Sequence, residues 1–170
     1  FIFIIQPIVI IFFLYIAFRI LYRNRNKFTI TLSIFYFLSA LGFTMNIVFL
    51  LITYLFNEPN LIVVGIVYFI ASFSVIYSTI FLLLFLIHLQ RESFSIISQL
   101  ILLFFYGLIS VILLIFPGGI DIGEHANWIP RYSLEFLILS YIYLTVAVII
   151  PIFYFLIKIY STFKDKPLKK

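Results

Sequence analysis

Residues 61–89 read LIVVGIVYFIASFSVIYSTIFLLLFLIHL and contain no Asp, Glu, Lys or Arg. About 20 apolar residues are enough for an α-helix to cross a hydrocarbon core of about 30 Å. A longer apolar helix tilts or projects beyond that core. The stretch therefore predicts a transmembrane helix, and the solvent for this part of the chain is lipid.

Other apolar runs of comparable length flank this one. They predict further spans at residues 1–18, 28–56, 94–116 and 134–159. A transmembrane β-barrel would need short alternating strands, whereas these runs are continuous. The sequence thus predicts one all-α transmembrane domain over residues 1–170, a polytopic integral membrane helical bundle of five helices. Because the first residue is Phe, we expect the chain to be part of a longer product.

The composition agrees with a membrane protein. Hydrophobic residues make up 65% of the chain and charged residues 10%, and the mean hydropathy is +1.28. Soluble domains are about 45–50% apolar and about 25% charged. These values exclude a water-soluble enzyme, a disordered chain and a coiled coil. The net charge of +5 comes from basic residues beside apolar spans, which indicates anionic lipid rather than nucleic acid as the partner.

The basic residues also predict an orientation. If the five helices alternate in direction, all of the Lys and Arg residues except Arg131 fall on one side of the membrane. Basic loops are retained in the cytoplasm. We therefore expect the N-terminus outside, the C-terminus in the cytoplasm, and the plasma membrane as the location.

Residues that could support catalysis are scarce. No Asp, Glu, Lys or Arg lies in the middle of a span, which argues against a proton relay, a voltage sensor or a charged ion pathway. His88 and His125 would lie on opposite sides of the membrane, so we interpret each as an interfacial histidine. Nucleotide-binding, zinc-protease and serine-hydrolase motifs do not occur. We expect no catalytic residue, no metal site, no cofactor and no enzymatic activity.

Polar and small residues within the spans offer two interpretations. Asn46 would form an interhelical hydrogen bond, or it would belong to a small-molecule site or a hinge. Gly65, Ser72 and Thr79 recur every seven residues along the third span. We favour this stripe as a helix-packing surface that makes the third helix central, over the alternative that it lines a polar cavity.

Two features concern the fifth span and the segment before it. Pro151 should interrupt the helix, either as a static bend or as a hinge. The segment from Pro117 to Ser133 contains the only Trp of the chain. We favour an interfacial connector for it over a lid on an outward-facing pocket; the lid would involve Asp121, Glu124, His125 and Trp128.

Three motifs together resemble the seven-helix membrane sensor regions that precede prokaryotic histidine kinases. They are the basic loop YRNRNK at residues 22–27, the motif WIP at residues 128–130, and the sequence KIYSTFKDK at residues 158–166, after a proline-bearing helix. The resemblance implies a receptor-like region that passes a signal to a cytoplasmic output domain encoded beyond Lys170. A transporter or channel fragment, and a structural subunit of a membrane complex, are the alternatives. An oligomer or a membrane partner is compatible with each.

Overall fold

The computed structural model describes residues 2–56, 59–90, 94–123 and 127–164, without the side chains of Ile2 and residues 162–164. Five spans are long and apolar enough to cross a membrane, which confirms the predicted all-α membrane bundle. Four of them are single helices: α1 (Ile2–Arg23), α2 (Lys27–Leu55), α3 (Leu61–Gln90) and α4 (Ile96–Leu114). The fifth consists of α5 (Leu134–Leu144), a π-helical segment (Thr145–Ile149) and α6 (Ile150–Lys164).

The turn between α1 and α2 is short, and its sequence caps the second helix. The Asn26 side chain accepts a hydrogen bond from the Thr29 N–H at 2.9 Å, and the Thr29 hydroxyl accepts one from the Asn26 N–H at 3.0 Å. This reciprocal arrangement satisfies two N–H groups that a helix start leaves unpaired. Helix α1 extends to Arg23, beyond the predicted end of its span at Phe18. Long basic side chains can extend from the end of an apolar helix toward water.

Helix α3 occupies the centre of the bundle, as predicted. It packs against α2, α4, α6 and the π-helical segment. In the most apolar 18-residue stretch of each span, 39% of the residues are buried in α3, compared with 6% to 22% in the other four spans. The other helices therefore expose more of their surface to lipid.

Helices α2 and α3 are in close contact at Gly42. A Cβ atom added to Gly42 would lie 2.9 Å from the Ala71 carbonyl oxygen and 2.5 Å from a Val75 methyl carbon. Close by, the Ser39 hydroxyl donates a hydrogen bond to the buried Ser78 hydroxyl at 3.0 Å. Small residues allow such an approach where lipid provides no hydrophobic drive between helices.

The stripe of Gly65, Ser72 and Thr79 lies outside this contact. Among the described residues, a Cβ atom at Gly65 would meet nothing within 4 Å, so none of these helices approaches closely there. Ser72 is half-buried, and the Thr79 hydroxyl forms a 2.6 Å hydrogen bond with the Tyr106 hydroxyl. The three positions have different surroundings: Thr79 contacts α4 through Tyr106, whereas α2 packs on the neighbouring face of α3, where Gly42 faces Ala71.

The segment between α4 and α5 contains a short ladder that the sequence did not predict. Strand β1 (Ile120–Asp121) pairs antiparallel with β2 (Arg131–Tyr132). We call residues 117–123 and 127–133 the hairpin, and the bundle end that carries it the hairpin end. The opposite end, where α1 meets α2 and α6 ends, is the basic end.

The fifth span changes its helix type just before Pro151. The Ile150 N–H donates to the Thr145 carbonyl oxygen, five residues earlier, instead of four. A proline in a regular helix clashes with the carbonyl four residues before it, here that of Ala147. Local π-helical turns are one way in which membrane helices accommodate proline. The predicted interruption therefore takes the form of a wider turn.

Candidate ligand cavity at the hairpin end

A cavity of about 310 Å³ lies between α2, α3, the hairpin and the start of α5. This volume is at the lower end of the usual range for small-molecule sites, about 300–1,000 Å³. Such sites are mostly apolar and contain a few placed polar groups. The walls include Phe43 and Asn46 of α2, Tyr68 and Ser72 of α3, Ile120 and Tyr132 of the hairpin, and Phe136 of α5.

Asn46 and Ser72 bring polar groups to this cavity from two adjacent helices. Both side chains are half-buried. Within the part of the chain that the structure describes, the Asn46 amide has no hydrogen bond with protein. The polar contact between α2 and α3 nearest in sequence to Asn46 is made by Ser39 and Ser78. The Asn46 amide can therefore donate and accept hydrogen bonds inside the cavity.

Tyr68 and Tyr132 join the hairpin to the bundle beside the cavity. Their hydroxyl groups are hydrogen-bonded to each other. The Tyr68 ring packs against Phe49 with centroids 5.3 Å apart, and the Tyr132 ring stacks on Phe136 at 5.8 Å. Sequence reasoning did not assign these two tyrosines to a site. A usable signal was that Tyr68 and Ser72 are one helical turn apart, so their hydroxyl groups share a face of α3.

The hairpin lies on the bundle through its apolar side chains. Ile120, Ile122 and Trp128 pack against a buried cluster formed by Phe49, Val64 and Tyr68. Of the residues predicted for a lid, Trp128 therefore contacts the bundle. Asp121 is exposed on β1, opposite Arg131. Glu124 and His125 lie outside the described residues.

A second group of hydroxyls connects three helices below the cavity. Tyr106 of α4 bonds to Thr79 of α3 at 2.6 Å. Its backbone carbonyl accepts a hydrogen bond from the Tyr143 hydroxyl of α5 at 3.1 Å, and that hydroxyl also bonds to Ser110 at 3.0 Å. We call these four side chains the tyrosine network. Tyr143 lies two residues before the π-helical segment.

The cavity and the tyrosine network are in contact. Ile76 of α3 lines the cavity, and its carbonyl oxygen accepts hydrogen bonds from the hydroxyls of Thr79 at 2.7 Å and Tyr106 at 3.3 Å. A continuous set of packed and hydrogen-bonded groups thus leads from the cavity to the turn before Pro151.

His88 lies at the basic end of α3, far along the chain from these groups. The sequence predicts an interfacial histidine; the residue lies in the last turn of α3, and neighbouring side chains leave only 5% of it exposed. Its ring lies between Phe28 and Phe94, with centroid distances of 6.2 and 6.4 Å, and its Nδ1 is 3.5 Å from the Thr31 hydroxyl. Among the described residues, His, Cys, Asp and Glu side chains form no group of three that could hold a metal ion.

Comparisons with protein-family models, with curated proteins and with solved structures found no match to this chain.

Proposed function

We propose that this integral membrane protein is a receptor-like sensory region that binds a small, mainly apolar molecule in the cavity. The molecule would carry one hydrogen-bonding group, because the cavity walls are largely apolar with a few hydroxyls and one amide. Binding would be passed along the fifth span to the basic end. The resemblance to sensor regions before histidine kinases supports the same role.

One observation carries this proposal: the cavity has walls from both the membrane helices and the hairpin. Asn46 and Ser72 belong to the helices, whereas Ile120 and Tyr132 belong to the hairpin. A ligand shifts a conformational equilibrium only if it binds one state better than the other. A molecule in this cavity contacts the hairpin and the helices together, so its affinity depends on how the hairpin lies.

The fifth span provides the route to the basic end. Tyr132 and Phe136 both line the cavity, at the end of the hairpin and in the first turn of α5. The same span continues through the π-helical segment and Pro151 to α6. Short π-helical turns occur frequently at functional sites. A displacement of the hairpin would therefore act directly on the helix that ends among the basic residues.

Trp128 offers a direct test because it is the only Trp and packs from the hairpin against the bundle. The protein, reconstituted in lipid nanodiscs, is titrated with a homologous series of primary alcohols while its Trp emission is recorded. We expect the Trp emission to change in a saturable way with the concentration of each alcohol that fits the cavity. Ser72→Leu fills the cavity and should abolish saturation. Ser98→Leu makes the same chemical change at an exposed position of α4 and should respond like the wild type.

One result would contradict binding in the cavity. A response that rises without saturation, and equally in the wild type and both variants, would mean that the alcohols act through the lipid. The cavity would then have no role in binding them.

A further inference from the structure

A groove lies at the basic end, on the surface of α1 and the turn that follows it. Its volume is about 540 Å³, and it is lined by Tyr15, Phe18, Arg19, Leu21, Tyr22 and Arg25. Four of these residues, at positions 15, 18, 19 and 22, follow the spacing of one helix face. The groove thus combines aromatic walls with two guanidinium groups.

Arg19 is held against Tyr15 within this groove. Its Nη1 donates a hydrogen bond to the Tyr15 hydroxyl at 3.1 Å, and its Cζ lies 5.8 Å from the centroid of the Tyr15 ring. Tyr15 precedes Arg19 by about one helical turn, roughly 5–6 Å along the axis. The guanidinium is therefore directed toward the apolar part of the span, in the direction that helical side chains usually take.

This positive charge has no carboxylate near it among the described residues. The acidic residues of the described segments are Asp121 and Glu135, and both lie at the hairpin end. A charged side chain close to the hydrocarbon region is costly unless a partner compensates it. The groove brings two guanidinium groups together, those of Arg19 and Arg25, and this pair favours a ligand that carries negative charge at the level of the membrane interface.

We propose that this groove binds an anionic phospholipid, with its phosphate between Arg19 and Arg25. Guanidinium groups match phosphate oxygens through paired, charge-assisted hydrogen bonds. The exposed rings of Phe18 and Tyr22 offer an apolar surface for an acyl chain and the glycerol region. A free phosphate ion would use the two arginines but would leave this apolar surface without a partner. The site does not depend on the cavity at the hairpin end.

The test compares two pairs of substitutions that remove the same charge at the same end. Arg19→Gln with Arg25→Gln changes the groove, whereas Arg23→Gln with Lys27→Gln changes basic residues that do not line it. Each protein is released from nanodiscs of mixed phosphatidylglycerol and phosphatidylcholine, and retained lipid is measured by native mass spectrometry. Thermal unfolding in phosphatidylcholine alone checks that each variant is folded.

We expect the wild type to retain one phosphatidylglycerol in preference to phosphatidylcholine. The groove pair should bind it about tenfold more weakly, or worse, because charged hydrogen bonds are lost, and the control pair should bind as the wild type does. Equal weakening in both pairs would overturn the site in favour of general surface attraction. No preference for phosphatidylglycerol in the wild type would also overturn it. If inorganic phosphate alone stabilised the protein as much as the lipid does, the ligand would be a free ion, and this result would also overturn the proposal.

Discussion

The hydroxyl groups of Tyr68 and Tyr132 are hydrogen-bonded to each other across 64 positions of sequence. Tyr68 belongs to the central helix and Tyr132 to the hairpin, and both line the same cavity. This contact is where the hairpin, the membrane helices and the start of the fifth span come together. The state of the hairpin and the shape of the cavity are therefore connected through one polar contact.

The first prediction concerns this contact. Tyr132→Phe removes one hydroxyl and leaves the Tyr68 hydroxyl without that partner, so the free energy of unfolding in detergent should fall by about 1 kcal/mol. The emission of Trp128 should also shift to longer wavelength as the hairpin loosens. Tyr141→Phe removes a hydroxyl from an exposed position of α5 and serves as the control. Identical emission spectra for the two variants would show that the hydrogen bond does not hold the hairpin.

A second prediction separates the two glycines of the central helix pair. Gly42→Val places a branched side chain where even a Cβ atom would lie 2.9 Å from the Ala71 carbonyl oxygen. The strain should lower the free energy of unfolding by about 1–3 kcal/mol. Gly65→Ala adds a methyl group to open space and should leave it nearly unchanged. Thermal unfolding in detergent measures both, and a larger loss for Gly65→Ala would contradict the packing described.

The five spans could be predicted from sequence because hydropathy alone decides them. Helix faces could not be assigned in the same way. When every face of a helix is apolar, the pattern does not distinguish contact with lipid from contact with another helix. The sequence therefore pointed to Gly65, Ser72 and Thr79, whereas the close contact uses Gly42 of one helix and Ala71 of the next.

The candidate site shows a similar limit. Asn46, Ser72, Trp128 and Pro151 were identified individually, from polarity within a span or from composition. Of these, Asn46 and Ser72 line the cavity. The cavity forms only because the hairpin lies across the bundle beside them, and no local pattern encodes that path. The π-helical segment was missed because proline predicts an interruption but not the form it takes.

A third prediction concerns orientation in the membrane. The distribution of basic residues predicts that the turn at Asn24 and the end of the fifth span at Ser161 face the cytoplasm, and that Asn127 faces outside. Since the chain contains no Cys, single cysteines at these three positions can be labelled in intact cells by an impermeant maleimide. Only the cysteine at position 127 should react before the cells are opened. Reaction at positions 24 and 127 from the same side would refute the orientation.

A fourth prediction addresses the π-helical segment and Pro151. Pro151→Ala restores a backbone N–H and lacks the ring that would clash with the Ala147 carbonyl in a regular helix, so the segment should convert to a regular helix. Such a helix transmits a displacement differently from one that contains a wide turn. The change in helix geometry can be measured at the basic end, where α6 ends, as the distance between spin labels on cysteines at Asn24 and Ser161.

The central claim is that the hairpin and the basic end are coupled through the fifth span. Spin labels are attached to cysteines at Asn24 and Ser161, and the distance between them is measured in nanodiscs by pulsed electron–electron double resonance. This distance reports the position of α6 relative to the α1–α2 turn. Tyr132→Phe, which loosens the hairpin, should change this distance distribution in the Pro151 background and leave it unchanged with Pro151→Ala. A distribution that is the same with and without Tyr132→Phe in the Pro151 background would contradict the claim, because the hairpin would then move without any effect at the basic end.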